Sequence, residues 1–161
     1  MSDVLGYSAI PEQSDLSALA GHLNEHRAAM NNVILDRDGT VMQFVGDAVM
    51  AVFGAPVAMD EHASHAVDAA PAMHRPQAVL NAHWATQGMP AFGLGIGVTT
   101  GDVAAALLGS EERIEYTVVG DTVNLSNRLQ QFAEPGETVL SEAKMRDPPN
   151  PPVTTTPDPT R

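Results

Sequence analysis

Met42–Gly54 reads MQFVGDAVMAVFG, two short apolar runs separated by Gly46-Asp47. Runs of this length and type fit strands, and a Gly-Asp pair between them is a turn signal. Just upstream, Asp38-Gly39 in VILDRDGT is the stronger hairpin signal of the two. The stretch Val33–Gly54 is therefore expected to form two strands around turns. At the start of the chain, SDVLGYS places a second acid, Asp3, in a comparable setting where a strand turns. Strand tips project side chains and expose backbone amides, as metal and phosphate sites require. Asp is also common in turns for purely local reasons. On local pattern alone both readings of Asp3 and Asp47 stay open.

Working outward, Leu16, Leu19, Ala20, Leu23, Ala28, Met30 and Val33 predict a helix over Leu16–Val33, with Ser14 and Asp15 as capping candidates. Asp60 opens a long alanine-rich helix to about Thr86, containing Pro71 and Pro76. An interior proline removes a hydrogen bond and clashes with the preceding turn, at a cost of ~3 kcal/mol, so a kinked or split helix is expected. FGLGIGVTTGDVAAALLG predicts a buried strand with a glycine-bearing turn. Its glycines do not follow the dinucleotide fingerprint, which leaves strand packing as their role. RIEYTVVGDTVNLSNRLQQFAEPG predicts a strand, a Gly-Asp turn and a helix stopped near Pro135-Gly136, and ETVLSEA a short further strand. The mixture lacks strict βα alternation, so the fold class is α+β, a largely antiparallel sheet flanked by helices. One domain over residues 1–145 is expected. The remainder, 146–161, holds six of the twelve prolines without periodicity and is expected to be a disordered tail.

Composition narrows the function. A net charge of −12 and a pI near 4.6 argue against a nucleic-acid partner, which demands Lys and Arg. An anionic small ligand would need metal cations to offset the protein's own field. The chain has no cysteine, hence no disulfide frame and no thiolate metal site. No apolar run approaches the ~18 residues of a membrane span, and the N-terminus lacks a signal pattern, so a cytoplasmic location is expected. His22 with His26, and His62 with His65, lie about one helical turn apart. Without further ligands these are expected to be solvated surface residues.

Four segments in order, DVLGYS, QFVGDAVMAVFG, GIGVTTGDV and YTVVGDTVNLSNRL, resemble the catalytic domain of class III nucleotidyl cyclases over roughly Ser2–Ala143. Asp3 and Asp47, 44 positions apart, are similar to that family's metal-binding pair, with Val4 beside them. Asn124 and Arg128 match its Asn-x-x-x-Arg and fall on one helix face. The resemblance implies a homodimer with sites at the interface, the metal pair from one chain and Asn124 and Arg128 from the other. It implies two Mg²⁺ or Mn²⁺ ions per site and a nucleoside triphosphate substrate, its phosphates cradled by the amides of Leu5, Gly6, Tyr7 and Ser8. Arg128 would stabilise charge growing at phosphorus and Asn124 would hold the ribose.

Base selection falls on Gln43, four before the second Asp, and Thr117, seven before the Asn. Where adenylate cyclases of the family carry Lys and often Asp, an amide and a hydroxyl can each donate or accept. ATP is the expected substrate on the family's habit, with GTP open. Measured against the family, the first strand is short ahead of Asp3. The C-terminal elements bearing a phosphate-contacting lysine are expected to be missing, since the single lysine, Lys144, sits too early to match. An impaired relative acting as a dimerising or regulatory module is the alternative reading.

Overall fold

The computed structural model describes residues 1–6, 16–110 and 113–141. Ten elements follow in order: β1 Ser2–Leu5, α1 Leu16–Leu35, β2 Gly39–Val45, β3 Ala48–Phe53, α2 His62–Ala85, β4 Gly93–Val98, β5 Ala104–Ser110, β6 Arg113–Val119, α3 Asp121–Phe132 and β7 Thr138–Leu140. Five strands form one sheet in the order β2-β3-β1-β4-β7, and β5 and β6 pair as a separate ribbon. Every pairing is antiparallel except β4 with β7. The expected α+β architecture stands. Tyr7, Ser8, the caps Ser14 and Asp15, Lys144 and the tail from residue 146 lie outside the described residues.

The sheet's two faces are built differently. One face carries Val49, Leu94, Ile96 and Val98, packed with Met30 and Ile34 of α1 and Ala70 and Met73 of α2. On β4 the alternate residues Gly93, Gly95 and Gly97 turn to the other face, as the two-residue period of a strand requires. A Cβ on Gly97 would overlap the Ser126 carbonyl oxygen and the Gln130 nitrogen of α3, and one on Gly93 would meet Pro135 at 3.0 Å. These glycines bring the α3 backbone directly onto the central strand. Strand packing is their role, as the sequence suggests. The β5–β6 ribbon lies on this same face, where Ala105 and Val118 pack on Met50.

Two expectations change. The long helix is not split, because α2 runs through both Pro71 and Pro76. Its buried residues Ala69, Ala70, Met73, Gln77 and Trp84 recur on one side across both prolines, and Pro71 itself is exposed. Packing of that stripe against α1 and β4 outweighs the lost hydrogen bonds. His22 and His26 are not solvated: they are 6% and 0% exposed. With Met30 and Ile34 they form an i, i+4 stripe that α1 turns inward. His26 Nδ1 donates to Gln77 Oε1 at 2.6 Å, the Gln77 amide donates to Asn81 Oδ1 at 2.9 Å, and Asn81 bridges both main-chain groups of Phe92. Burial holds His26 below the ordinary histidine pKa. His62 and His65 are only partly buried, and His65 Nδ1 lies 2.9 Å from the Arg37 carbonyl oxygen.

Gly97→Ala should force α3 off the sheet and lower stability by about 3 kcal/mol or prevent folding, the upper range for overpacking. Gly21→Ala is the control, since nothing lies within 4 Å of the new methyl. That helical site should gain about 0.5–1 kcal/mol. Urea denaturation of both variants checks the contrast.

Candidate functional site

Gly46 and Asp47 form the two-residue loop between β2 and β3, with Val45 opposite Ala48. Gly46 adopts φ 61°, at the first loop position, where a type II′ hairpin turn takes its glycine. The hairpin is therefore here and not at Asp38-Gly39. Val33–Leu35 finish α1, and Asp38, at φ 58°, turns the chain from that helix into β2. The apolar residues before Asp38 belong to the helical stripe, which overrides the turn signal.

β1 runs antiparallel beside β3 with Ser2 opposite Val49, so Asp3 comes to the loop end where Asp47 stands. Their carboxyl groups share a hydrogen bond. Burial, then the neighbouring Asp47 charge and that hydrogen bond, raise Asp3 from 3.8 to about 6, opposed by a main-chain hydrogen bond at Val4. Two acids 44 positions apart thus meet at adjacent strand ends. The Val4 side chain is buried against Trp84 and Phe92, which leaves only its main-chain carbonyl for a ligand. Leu5 ends β1 against Gly93 and Gly95, and Gly6 follows at φ 79°. Among the described residues no group of three or more His, Cys, Asp or Glu comes together.

Gln43 reaches its position through a β-bulge that sequence reading missed. Val41 pairs with Ala51 but Gln43 pairs with Met50, so Met42 is an extra residue. The bulge lets Val41 and Phe44, three apart, both face the α1 side, and it puts Gln43 with Met50 on the opposite face. Strand alternation puts Asp3, paired with Gly95, on that face too. Its only sequence signal is the phase slip in the apolar pattern between Val41 and Phe44.

Asn124, Arg128 and Thr117 do not meet this set within the chain. Ser126, Leu129 and Gln130 are the residues α3 sets against β4. At 100° per residue, Asn124 and Arg128 occupy the opposite side of the helix, and both are exposed. Leu125 and Phe132, 42% and 78% exposed, flank them on the outward face. Thr117 alternates with Tyr116 and Val118, whose side chains pack toward the main sheet, so its own side chain points away from it. One chain therefore carries two half-sets of residues that do not face each other. A separate cavity of about 560 Å³ lies between β3 and β4 beyond Met1, lined by Met50, Val52, Ile96, Val98 and neighbours. Its lining includes neither Asp3 nor Asp47, so it is distinct from the acid pair.

The sequence profile of the family described as "Adenylate and Guanylate cyclase catalytic domain" matches residues 1–147. Adenylate cyclase 1 of Rhizobium meliloti is 34% identical over 129 residues, covering 80% of this chain and 19% of that protein. An adenylate cyclase of Anabaena cylindrica is 30% identical over 132 residues, covering 80% of this chain and 25% of it. The chain thus spans about a fifth to a quarter of the length of these curated relatives. Among solved structures, the guanylyl cyclase Cya2 superposes with a TM-score of 0.86 at 30% identity, covering 89% of this chain and 73% of that one. The adenylyl cyclase CyaB from P. aeruginosa does so with 0.85 at 33%, covering 89% and 74%. With its fold, its profile and its relatives in agreement, the chain belongs to the adenylate and guanylate cyclase catalytic-domain family.

Proposed function

We propose that this chain is a nucleotidyl cyclase domain, forming a 3′,5′-cyclic nucleotide and pyrophosphate from a nucleoside triphosphate between two copies of itself. The observation that carries the reading is the contact of Asp3 with Asp47 at adjacent strand ends. Two carboxyl groups held together suit hard divalent cations. Mg²⁺ is commonly held by one or two carboxylates, with substrate phosphates and water completing its shell, which needs no third acidic residue. Asp3, Asp47 and the Val4 carbonyl would hold Mg²⁺ or Mn²⁺, two ions per site. Bound there, the ions would neutralise the triphosphate and lower the pKa of the ribose 3′-hydroxyl.

The chain's other residues would position the reactants. The main-chain groups of Leu5 and Gly6, and of Tyr7 and Ser8 after them, would receive phosphate oxygens. As the 3′-oxygen attacks the α-phosphorus and the bond to pyrophosphate breaks, Arg128 would meet the negative charge that builds on the non-bridging oxygens. Asn124 would hydrogen-bond the ribose and fix the angle of attack. Because Asn124 and Arg128 face outward from α3, these contacts would come from the second copy. The exposed Leu125 and Phe132 would give that face an apolar contact. Gln43 and Thr117 would read the base edge, again from opposite copies. The relatives named adenylate cyclases favour ATP, and the guanylyl cyclase at similar structural distance makes GTP the substrate to test beside it.

If the site is composite, Asp47→Ala and Arg128→Ala proteins should each lose about 10²-fold or more of the parental rate. Mixed in equal amounts they should regain about a quarter of it, since random pairing makes half the dimers mixed and each mixed dimer has one complete site. Cyclic nucleotide formed from Mn²⁺-ATP and Mn²⁺-GTP is the readout. No recovery on mixing, with an active parent, would place the site within one chain.

The acid pair also sets a pH signature. Folded Asp3 holds its proton up to about pH 6, whereas the unfolded chain releases it near 3.8. Between these values the folded state binds more protons, so cation-free stability contributed by this group falls as pH rises through the window. Asp47→Asn should flatten that part of the slope, and Mn²⁺ should offset it in the parent alone. Thermal melts from pH 4 to 7, with and without Mn²⁺, measure both effects.

A further inference from the structure

The loop that carries Asp47 has little packing of its own. Phe44 and Val45 ahead of it are 39% and 51% exposed, and Gly46 is exposed as well. The Arg27 side chain ties this tip to α1. Arg27, on the α1 side of the sheet, sets its guanidinium over the Phe44 ring, 5.2 Å from the centroid. The same guanidinium donates a hydrogen bond through Nη2 to the carbonyl of Gly46, the residue before Asp47. Its Nε is buried and without a hydrogen-bond partner among the described residues, so the group is seated against the protein.

We infer that Arg27 is a positioning residue for Asp47, holding the β2–β3 loop so that the Asp47 carboxyl stays against Asp3. The inference rests on reading that pair as a cation site and adds a residue outside it. The planar guanidinium suits both contacts, since it stacks on a ring and still presents N–H donors at its edge. It approaches from the α1 side, so the guanidinium does not occupy the opposite face, to which Asp3 and Gln43 belong. A two-residue loop transmits the restraint with little loss, because fixing the Gly46 carbonyl leaves few dihedrals between the anchor and the Asp47 side chain.

Mn²⁺ affinity of the full chain, titrated by electron paramagnetic resonance without nucleotide, tests this independently of turnover. Arg27→Met keeps the aliphatic stem and removes both contacts of the head group. Its Mn²⁺ affinity should fall about tenfold, the lower range for residues that orient a metal ligand. Arg27→Lys keeps the charge but loses the planar stack, and should recover only part of the loss. Phe44→Leu removes the stack alone and should weaken binding less than Arg27→Met. Amide exchange at Ala48 should quicken in Arg27→Met while exchange at Ile96 in the core stays unchanged, which a general loss of structure would not produce. Asp47→Asn separates the two readings. If it abolishes Mn²⁺ binding and Arg27→Met binds as the parent does, the positioning role is overturned and the cation site stands. If Asp47→Asn leaves Mn²⁺ binding intact, the cation site fails and the inference fails with it.

Discussion

Backbone contact between α3 and β4 is the constraint on which the rest depends. Gly97 lets a helix lie directly on a strand, with no side chain between the Ser126 carbonyl and the sheet. That contact fixes the rotation of α3 about its own axis, and rotation decides which residues face out. With Ser126, Leu129 and Gln130 committed inward, Asn124 and Arg128 have no choice but the outer side. The glycines also leave the opposite face of β4 to Leu94, Ile96 and Val98, which close the core against α1 and α2. One alternating strand thus builds the hydrophobic core with one face and orients the outward helix with the other.

The sheet's second task is to bring two acids together at a cost. Burial disfavours an ionised Asp3 and the neighbouring Asp47 charge adds to the penalty, which the rise of Asp3 to about 6 records. A pair that destabilises the cation-free protein is one that a bound cation can stabilise. Strain of this kind is tolerated where the surroundings are stiff. Here stiffness comes from β1, pinned between β3 and β4, and from the short hairpin loop, whose carbonyl is held by Arg27.

How much of this was legible in the sequence depended on the range of the interaction. Asp3, Asp47, Asn124 and Arg128 could be put forward as candidates because each sits in a short motif of recognisable order. The elements around them also follow from local pattern, since strand runs and the Gly-Asp turns survive folding. What escaped was set by packing. Asp38-Gly39 scores as a hairpin, but Met30 and Ile34 extend α1 up to it and convert it into a helix exit. His22 and His26 look polar and therefore exposed, yet they share the i, i+4 line of Met30 and Ile34, and Gln77, 51 positions from His26, partners its Nδ1, one of two buried ring nitrogens. Pro71 and Pro76 predict a break only if the helix is judged alone, without the buried stripe that spans them. The bulge at Met42 could have been found from the slip in apolar phase, but nothing local says which face Gln43 would gain.

The central claim of the proposed function is that Gln43, on the ribbon side of the sheet, and Thr117, on the outer face of the ribbon, approach each other across two copies. The natural absence of cysteine makes this directly testable. A Gln43→Cys protein mixed with a Thr117→Cys protein, treated with a short bis-maleimide, should yield a covalent dimer on a denaturing gel that excess Mn²⁺-ATP suppresses by occupying the space between them. A doubly substituted chain that instead closes an internal cross-link while remaining monomeric would contradict the account.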